Sequence, residues 1–345
     1  MNAGHGHQRV LLTGVAGFIG SHLAERLLAR GDRVVGIDNF DPFYPAAEKR
    51  ANLHSALRQA RFRFVELDCG EAERLESALR DESFDVVVHC AAKAGVRASL
   101  MDPVGFARAN VMGTQALLEF ARQHDIRRLV FASSSSVYGN SSRIPFSEGD
   151  PAVCPVSPYA ATKRAAELLC QAYHEIYGMS LLMLRFFTVY GPRQRPDLAI
   201  RKFATLLLRG EPVPMYGDGS SGRDYTWIED IVAGTVAAID RTASHPGECE
   251  TINLGGNRIT TLRDLIGMIA ASLEVQPRTV PLPEQPGDVR VTWADTRKAE
   301  RLLNYRPSTP LTVGLPLFLD WLKEHLATTD CHSAWRRPDA QQVAP

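Results

Sequence analysis

The stretch Thr13-Gly14-Val15-Ala16-Gly17-Phe18-Ile19-Gly20-Ser21-His22-Leu23 decides how the rest of the chain is read. It follows the apolar run Val10-Leu11-Leu12 and opens a segment, Phe18 to Arg30, with Ile19, Leu23, Leu27 and Leu28 at helical spacing. The glycines, spaced GxxGxxG, therefore fall on the turn from a strand into a helix. Gly14 permits the tight turn, Gly17 lets phosphate oxygens approach the backbone, and Gly20 lets the helix pack close to the sheet. The helix N-terminus then offers free N–H groups to an anion. A glycine triplet alone is weak evidence, but between strand and helix it predicts a dinucleotide site, with Phe18 and Ile19 as further candidate contacts.

The pattern repeats outward from this motif. Short apolar runs at Val34–Ile37, Phe62–Val65, Val86–Val88, Leu129–Phe131 and Leu181–Leu184 alternate with amphipathic stretches such as Val111–Gln123 and Tyr159–Tyr177. Strand–helix alternation of this kind predicts an α/β fold, a Rossmann-type doubly wound parallel sheet. Beyond about residue 190 proline and glycine punctuate the chain, which fits a smaller α+β lobe with helices at Glu229–Arg241 and Leu262–Leu273. Thr251–Leu254 reads as a strand returning to the sheet. The expected division is a dinucleotide-binding domain over 8–190 with a return segment near 226–258, a substrate lobe over 191–326, and a mobile tail over 327–345.

Composition excludes other classes. The 345 residues are 45% hydrophobic, enough for a sizeable core, and the 39 Lys and Arg balance 39 Asp and Glu. That balance argues against a nucleic-acid or polybasic membrane surface. No apolar run is long enough to span a bilayer, and the first residues do not resemble a signal peptide. Cysteines at 69, 90, 154, 170, 249 and 331 form no CxxC pair, so reduced thiols, no metal site and a cytoplasmic location are expected.

The second strand ends at Asp38, about twenty residues beyond the glycines, followed by Asn39. A carboxylate there accepts both adenosine ribose hydroxyls and repels a 2′-phosphate, which favours NAD over NADP. Asp68-Cys69, after the third strand, and Ala91-Ala92, after the fourth, are candidate cofactor contacts by position.

Ser157-Pro158-Tyr159-Ala160-Ala161-Thr162-Lys163 reads as a helix start, with Ser157 as N-cap and Pro158 in the first turn. Tyr159 and Lys163 share a helical face. An ammonium beside the phenol is expected to lower its pKa, making Tyr159 a candidate general base. The fifth strand ends in Ser133-Ser134-Ser135-Ser136, at the sheet edge where ligands bind. One hydroxyl can bridge a substrate hydroxyl and Tyr159, while at least one of the four is expected to be structural.

Over roughly 9–325 the chain resembles an extended short-chain dehydrogenase/reductase of the nucleotide-sugar epimerase/dehydratase family. The resemblance rests on the glycine motif, Ser133–Gly139, the Tyr-x-x-x-Lys pair, Arg185–Pro192, Gly222–Thr226 and Pro286–Val289. It implies that Ser134, Tyr159 and Lys163 are catalytic. It further implies that Ser133, Lys163, Tyr159 and Phe186 contact NAD, and that Ser135, Ser136 and Thr188 lie at the sugar. Arg223 would meet the diphosphate and Asp288 the uridine ribose. Many members carry Arg where this chain has Gln285, and Arg290 is the candidate replacement. Family members usually form homodimers through helices like 102–124 and 159–177.

Dehydratases of the family place an acid pair after the catalytic Ser or Thr, and related decarboxylases a Glu at the position of Ser136. Ser135-Ser136 therefore favours 4-epimerisation. Arg195-Pro196-Asp197, Gly36–Phe40 and Ala94–Arg97 resemble UDP-glucuronate 4-epimerases, although Lys93 departs from the Gln common there. Arg195 suits bidentate carboxylate recognition; a plain surface arginine is the alternative. The expected reaction is NAD-dependent interconversion of UDP-glucuronate and UDP-galacturonate through a 4-keto intermediate. A UDP-glucose or UDP-N-acetylglucosamine 4-epimerase, a UDP-glucuronate decarboxylase and a noncatalytic NAD sensor are the other readings.

Overall fold

The computed structural model describes residues 7–284, 287 and 289–329. Its centre is a seven-stranded parallel sheet of Arg9–Thr13 (β1), Arg33–Asp38 (β2), Phe62–Glu66 (β3), Val86–His89 (β4), Arg128–Ser134 (β5), Ser180–Phe186 (β6) and the strand Cys249–Leu254. Across the sheet the order is Cys249–Leu254, β6, β5, β4, β1, β2, β3. The winding reverses between β1 and β4, the crevice where doubly wound sheets bind ligands.

Strand alternation sorts the core into two layers. Leu11, Val35, Val87 and Phe131 face one layer, shared with Leu117 and Ala166 from the flanking helices. Val10, Leu12, Val34 and Val88 face the other, shared with Leu23, Leu27 and Ile231. Neighbouring strand residues are thus apolar on both faces, as fully covered parallel strands require.

The helix after the glycines spans Phe18–Arg30 as expected, and the longer one runs Pro158–Tyr177, with Ser157 Oγ accepting from Ala160 N at 3.1 Å. The predicted helix Val111–Gln123 is different. Arg108–Met112 form a π turn, and the α-helix proper is Gly113–Gln123. A π turn accommodates an extra residue per turn, and it carries Asn110, whose side chain is buried. The expected tail is partly helix: Leu311–Thr329 runs past residue 326, anchored by buried Phe318 and Leu322.

After β6 the chain builds two-stranded pairs. Thr226–Trp227 lies parallel to Val189–Tyr190, Ile259–Thr261 antiparallel to Gly222–Asp224, and Thr279–Leu282 parallel to Val213–Tyr216. Arg223 lies on the strand Gly222–Asp224, and Arg195 in the loop between Val189–Tyr190 and the helix Ala199–Leu208. Among the described residues no helix is long and apolar enough to cross a membrane, and no cluster of metal-ligating side chains occurs. The described cysteines are free thiols; Cys331 lies outside the described residues.

Candidate active site

The glycine turn is built as its spacing suggests. Gly14 has φ +72, and a Cβ there would lie 2.6 Å from Ala91 N. A Cβ on Gly20 would lie 2.1 Å from Gly14 O, so the helix touches the turn backbone to backbone. Gly17 is the N-cap of the helix, without a side-chain cap and without an acid in the first turn, leaving the helix N–H groups for an anion. Asp38 is buried, and its carboxylate accepts from Ala16 N at 3.0 Å and Phe40 N at 2.9 Å. Burial pushes its carboxyl up, opposed by those N–H groups and by Lys49. A close-packed glycine cradle, an uncapped helix end and a fixed carboxylate at the next strand fit a dinucleotide.

Asn39 Nδ2 donates to Asp68 Oδ2 at 2.9 Å, and Gly70 N to Asp68 Oδ1 at 2.8 Å, which joins the ends of β2 and β3. Cys69 is buried, its thiol pushed up to about 12 by desolvation. Ala91 N donates to Thr13 Oγ1 at 3.2 Å, holding the Ala91-Ala92 segment against the glycine turn.

On β5 the consecutive serines part company. Ser133 Oγ donates to the buried Glu167 at 2.6 Å, so its hydroxyl is structural, and only its backbone remains for a cofactor. Ser134 ends β5 beside Phe186 of β6, and its Oγ accepts from Ser136 N at 3.2 Å and donates to Ser136 Oγ at 3.1 Å. Ser135 is buried and Ser136 half-buried.

Tyr159 is half-buried, edge-on to the Phe106 ring at 6.1 Å. Its phenol departs from the expectation. Burial raises its pKa, hydrogen bonding with Ser134 and the charge of Arg195 pull it down, and Lys163 does not figure among these influences. The physical reason is where the ammonium goes: Lys163 Nζ donates to Ala132 O at 2.7 Å and lies 4.7 Å from the centre of the Phe131 ring. Burial brings Lys163 itself down to about 8.

Arg195 is no plain surface arginine. Its side chain is 16% exposed, paired through Nε and Nη2 to Asp197 at 2.9 and 2.7 Å, and stacked 5.1 Å from the Phe43 ring centre. Gly95, with φ +126, lies against it: a Cβ there would be 3.6 Å from Arg195 Nη2. Thr188 is half-buried and its carbonyl accepts from Thr226 N at 2.9 Å. Arg223 Nη1 donates to Gly222 O at 2.9 Å, and Gly222 N to Arg290 O at 2.9 Å, so the segments of Arg223 and Arg290 are laced together. Asp288 and Gln285 lie outside the described residues.

Residues 10–255 match the NAD dependent epimerase/dehydratase family. The chain belongs to that family. It is 38% identical over 317 residues to the UDP-glucuronate 4-epimerase of Thermodesulfobacterium geofontis, covering 92% of this chain and 96% of that relative. Among solved structures, UDP-glucuronic acid 4-epimerase from Bacillus cereus in complex with UDP-glucuronic acid and NAD is 38% identical, with a TM-score of 0.85 over 92% of this chain and 99% of that one. UDP-glucose 4-epimerase from Thermotoga maritima with UDP-glucose is 30% identical, with a TM-score of 0.82 over 92% and 99%.

Two features of this epimerase-family site carry no local sequence signal. Asn110 Oδ1 accepts from Lys93 N at 2.8 Å, and its Nδ2 donates to Lys93 O at 2.9 Å and Thr162 Oγ1 at 3.0 Å, tying the segment after β4 to the Tyr159 helix. Lys93 in turn pairs with Asp102 at 2.9 Å and Asp41 at 3.5 Å. His89 lies between Thr13 Oγ1 at 2.7 Å and Thr114 Oγ1 at 3.1 Å, beneath the glycine turn.

Proposed function

We propose that this chain is an NAD-dependent UDP-sugar 4-epimerase that interconverts UDP-glucuronate and UDP-galacturonate. The observation that carries the choice of sugar is Arg195, a largely buried guanidinium whose charge acts on the phenol of Tyr159. A carboxylate receptor beside the base suits a sugar whose C5 bears a carboxylate. The Ser135-Ser136 pair supports epimerisation, since neither hydroxyl can act as the acid or carboxylate base of dehydration or decarboxylation. The relatives' names support the same reading.

Bound NAD supplies the acceptor, and then the donor, of the hydride at C4. The chain's own groups do the rest. The glycine turn and the helix N-terminus hold the pyrophosphate, Asp38 the adenosine ribose, and Asn39, Asp68, Cys69, Ala91, Ala92 and Phe186 frame the remainder. Tyr159 takes the proton of the sugar 4-hydroxyl, Ser134 hydrogen-bonds that oxygen, and Lys163 supplies positive charge near the nicotinamide ribose. After the keto sugar turns over, Tyr159 returns the proton on the other face. Arg195, with Ser136 and Thr188, holds the carboxylate so that its C–C bond stays out of line with the 4-keto π-system, which suppresses loss of CO2. Arg223, with Arg290, binds the diphosphate.

A neutral UDP-sugar is the second reading, and one observation favours it: Asp197 already pairs with Arg195 in a bidentate contact. Incubation with UDP-glucuronate, UDP-glucose and UDP-N-acetylglucosamine, followed by chromatography that separates C4 epimers and pentose products, tests both. Faster turnover of UDP-glucose would reject the uronate assignment.

Exposed Leu100, Met101, Val104, Met112, Leu168 and Ile176 on the segments 96–112 and 158–177 support a homodimer. Free thiols support a cytoplasmic location. Light scattering on the purified protein tests the first, and fractionation of the source cells the second.

A further inference from the structure

Tyr159, Lys163 and Glu167 are spaced at i, i+4 and i+8, so they share one stripe of the Pro158–Tyr177 helix. Glu167 has no solvent exposure. One of its oxygens accepts from Ser133 Oγ at 2.6 Å and Arg185 Nε at 2.9 Å, and the other from Arg185 Nη2 at 2.8 Å and Arg164 Nη1 at 3.0 Å. A buried ion pair is a weak source of stability, since apolar side chains of like volume often serve as well. Its location suggests another use. Ser133 immediately precedes Ser134 on β5, Arg185 immediately precedes Phe186 on β6, and these residues pair across the sheet. Lys163 Nζ holds the same strand end one residue earlier, at Ala132 O, 2.7 Å away. The helix that carries the base is thus tied to β5 at two successive residues and to β6 at a third.

The geometry points to Glu167 as a positioning residue of the epimerisation, one that fixes the Ser134-bearing end of β5 against the Tyr159 helix and keeps a negative charge one turn from the Lys163 ammonium. The inference rests on the reading of Tyr159 and Lys163 as the catalytic pair. The groups that act on Lys163 are Cys90 and Cys69 from the sheet side, and Glu167 and Cys170 from its own helix, while neutral His89 of β4 lies within reach of its charge. Glu167 is the carboxylate among them, and Arg185 and Arg164 stand behind it. Burial lowers Lys163, and Glu167 opposes that, so loss of the carboxylate moves Lys163 further down. An ammonium that deprotonates earlier brings the alkaline loss of turnover to lower pH.

The single change Glu167→Gln strands the Arg185 charge in the core, so the test uses the double variant Glu167→Gln/Arg185→Met, which removes both charges. Ser133→Ala is run beside it and leaves the ion pair whole. The double variant is expected to lose about 10- to 100-fold in kcat through misplacement of the reacting groups. Its KM is expected to stay near wild type, and the alkaline limb of its kcat profile to lie at lower pH. Ser133→Ala is expected to show a smaller fall in kcat with the limb unmoved. Wild-type kcat in Ser133→Ala, together with a folded double variant of wild-type kcat and pH limb, overturns the proposal. If the double variant does not fold, wild-type kcat in Ser133→Ala alone overturns it. Tyr159→Phe separates the two levels: an active Tyr159→Phe enzyme rejects the catalytic reading itself, whereas an inactive one with unaffected Glu167 and Ser133 variants rejects only the role of Glu167.

Discussion

Arg195→Ala is expected to change which sugar the enzyme prefers, and the structure sets the size of the effect. Truncating one partner of a buried, hydrogen-bonded charge pair costs about 2–5 kcal/mol. At roughly 1.4 kcal/mol per tenfold, that is about 30- to 4,000-fold in kcat/KM for UDP-glucuronate. The lower end applies here, because Asp197 occupies the Nε–Nη2 edge of the guanidinium and already offsets part of its charge. Asp197, whose side chain is 34% exposed, can be solvated once Arg195 is gone, so the variant keeps no stranded charge. UDP-glucose has no carboxylate to lose, yet it is not indifferent: Arg195 also draws the Tyr159 phenol down, and without it the phenol rises further. The variant should therefore turn over UDP-glucose more slowly as well, but lose less on it than on UDP-glucuronate. The assay is kcat/KM on both sugars at neutral and alkaline pH, with pentose release followed in the same chromatograms. An untethered carboxylate is free to align with the keto group, so some UDP-pentose is expected. Equal losses on both sugars at every pH, or no loss on UDP-glucuronate, would refute the carboxylate role of Arg195.

Four further outcomes follow from the same geometry. Tyr159→Phe should reduce kcat by about 10²–10⁴-fold with UDP-sugar binding nearly intact, measured by turnover beside equilibrium titration; half the wild-type activity would sink the assignment. Wild-type protein should bind NADP far more weakly than NAD, and Asp38→Ser should narrow that gap; equal wild-type affinities would contradict the reading of Asp38. Gly20→Ala places a methyl against Gly14 O, where the ideal Cβ lies only 2.1 Å away, so it should cost about 1–3 kcal/mol in denaturant unfolding and weaken NAD binding. Burial holds His89 neutral down to about pH 3 and His22 to about 4, against 6.5 unfolded. Below about pH 6.5 the unfolded chain takes up protons that the fold refuses, so each histidine removes on the order of 1 kcal/mol of stability per pH unit down to its folded value. A melting temperature that is flat from pH 7 to 5 would contradict this.

The features legible in the sequence are those that short-range physics sets. Short continuous apolar runs announce strands covered on both faces, and Leu11 and Leu12 do point into opposite core layers. Three glycines between strand and helix announce a phosphate cradle, because the positive φ of Gly14 and the approach of Gly17 and Gly20 to Gly14 O are set within the turn itself. Ser157-Pro158 announces a helix start, and i, i+4 spacing puts Tyr159 and Lys163 on one face. None of these needs knowledge of what packs from afar.

Tertiary structure alone decided the roles of chemically equivalent neighbours. Ser133 and Ser134 are identical in type, but a strand turns them to opposite sides, so one is taken by Glu167 and the other stays with Ser136 and Tyr159. Lys163 has two possible uses for its ammonium, and the carbonyl of Ala132, 31 residues away in the chain, takes it. The charge of Arg195 acts on Tyr159 from a loop in which Gly95, Phe43 and Asp197 lie against the guanidinium. Asn110 owes its role to a π turn that its neighbours do not advertise. In each case the side chain's chemistry was visible in the sequence but its partner was not, because a hydrogen bond or ion pair forms only where the sheet order and helix packing bring distant residues within about 3 Å.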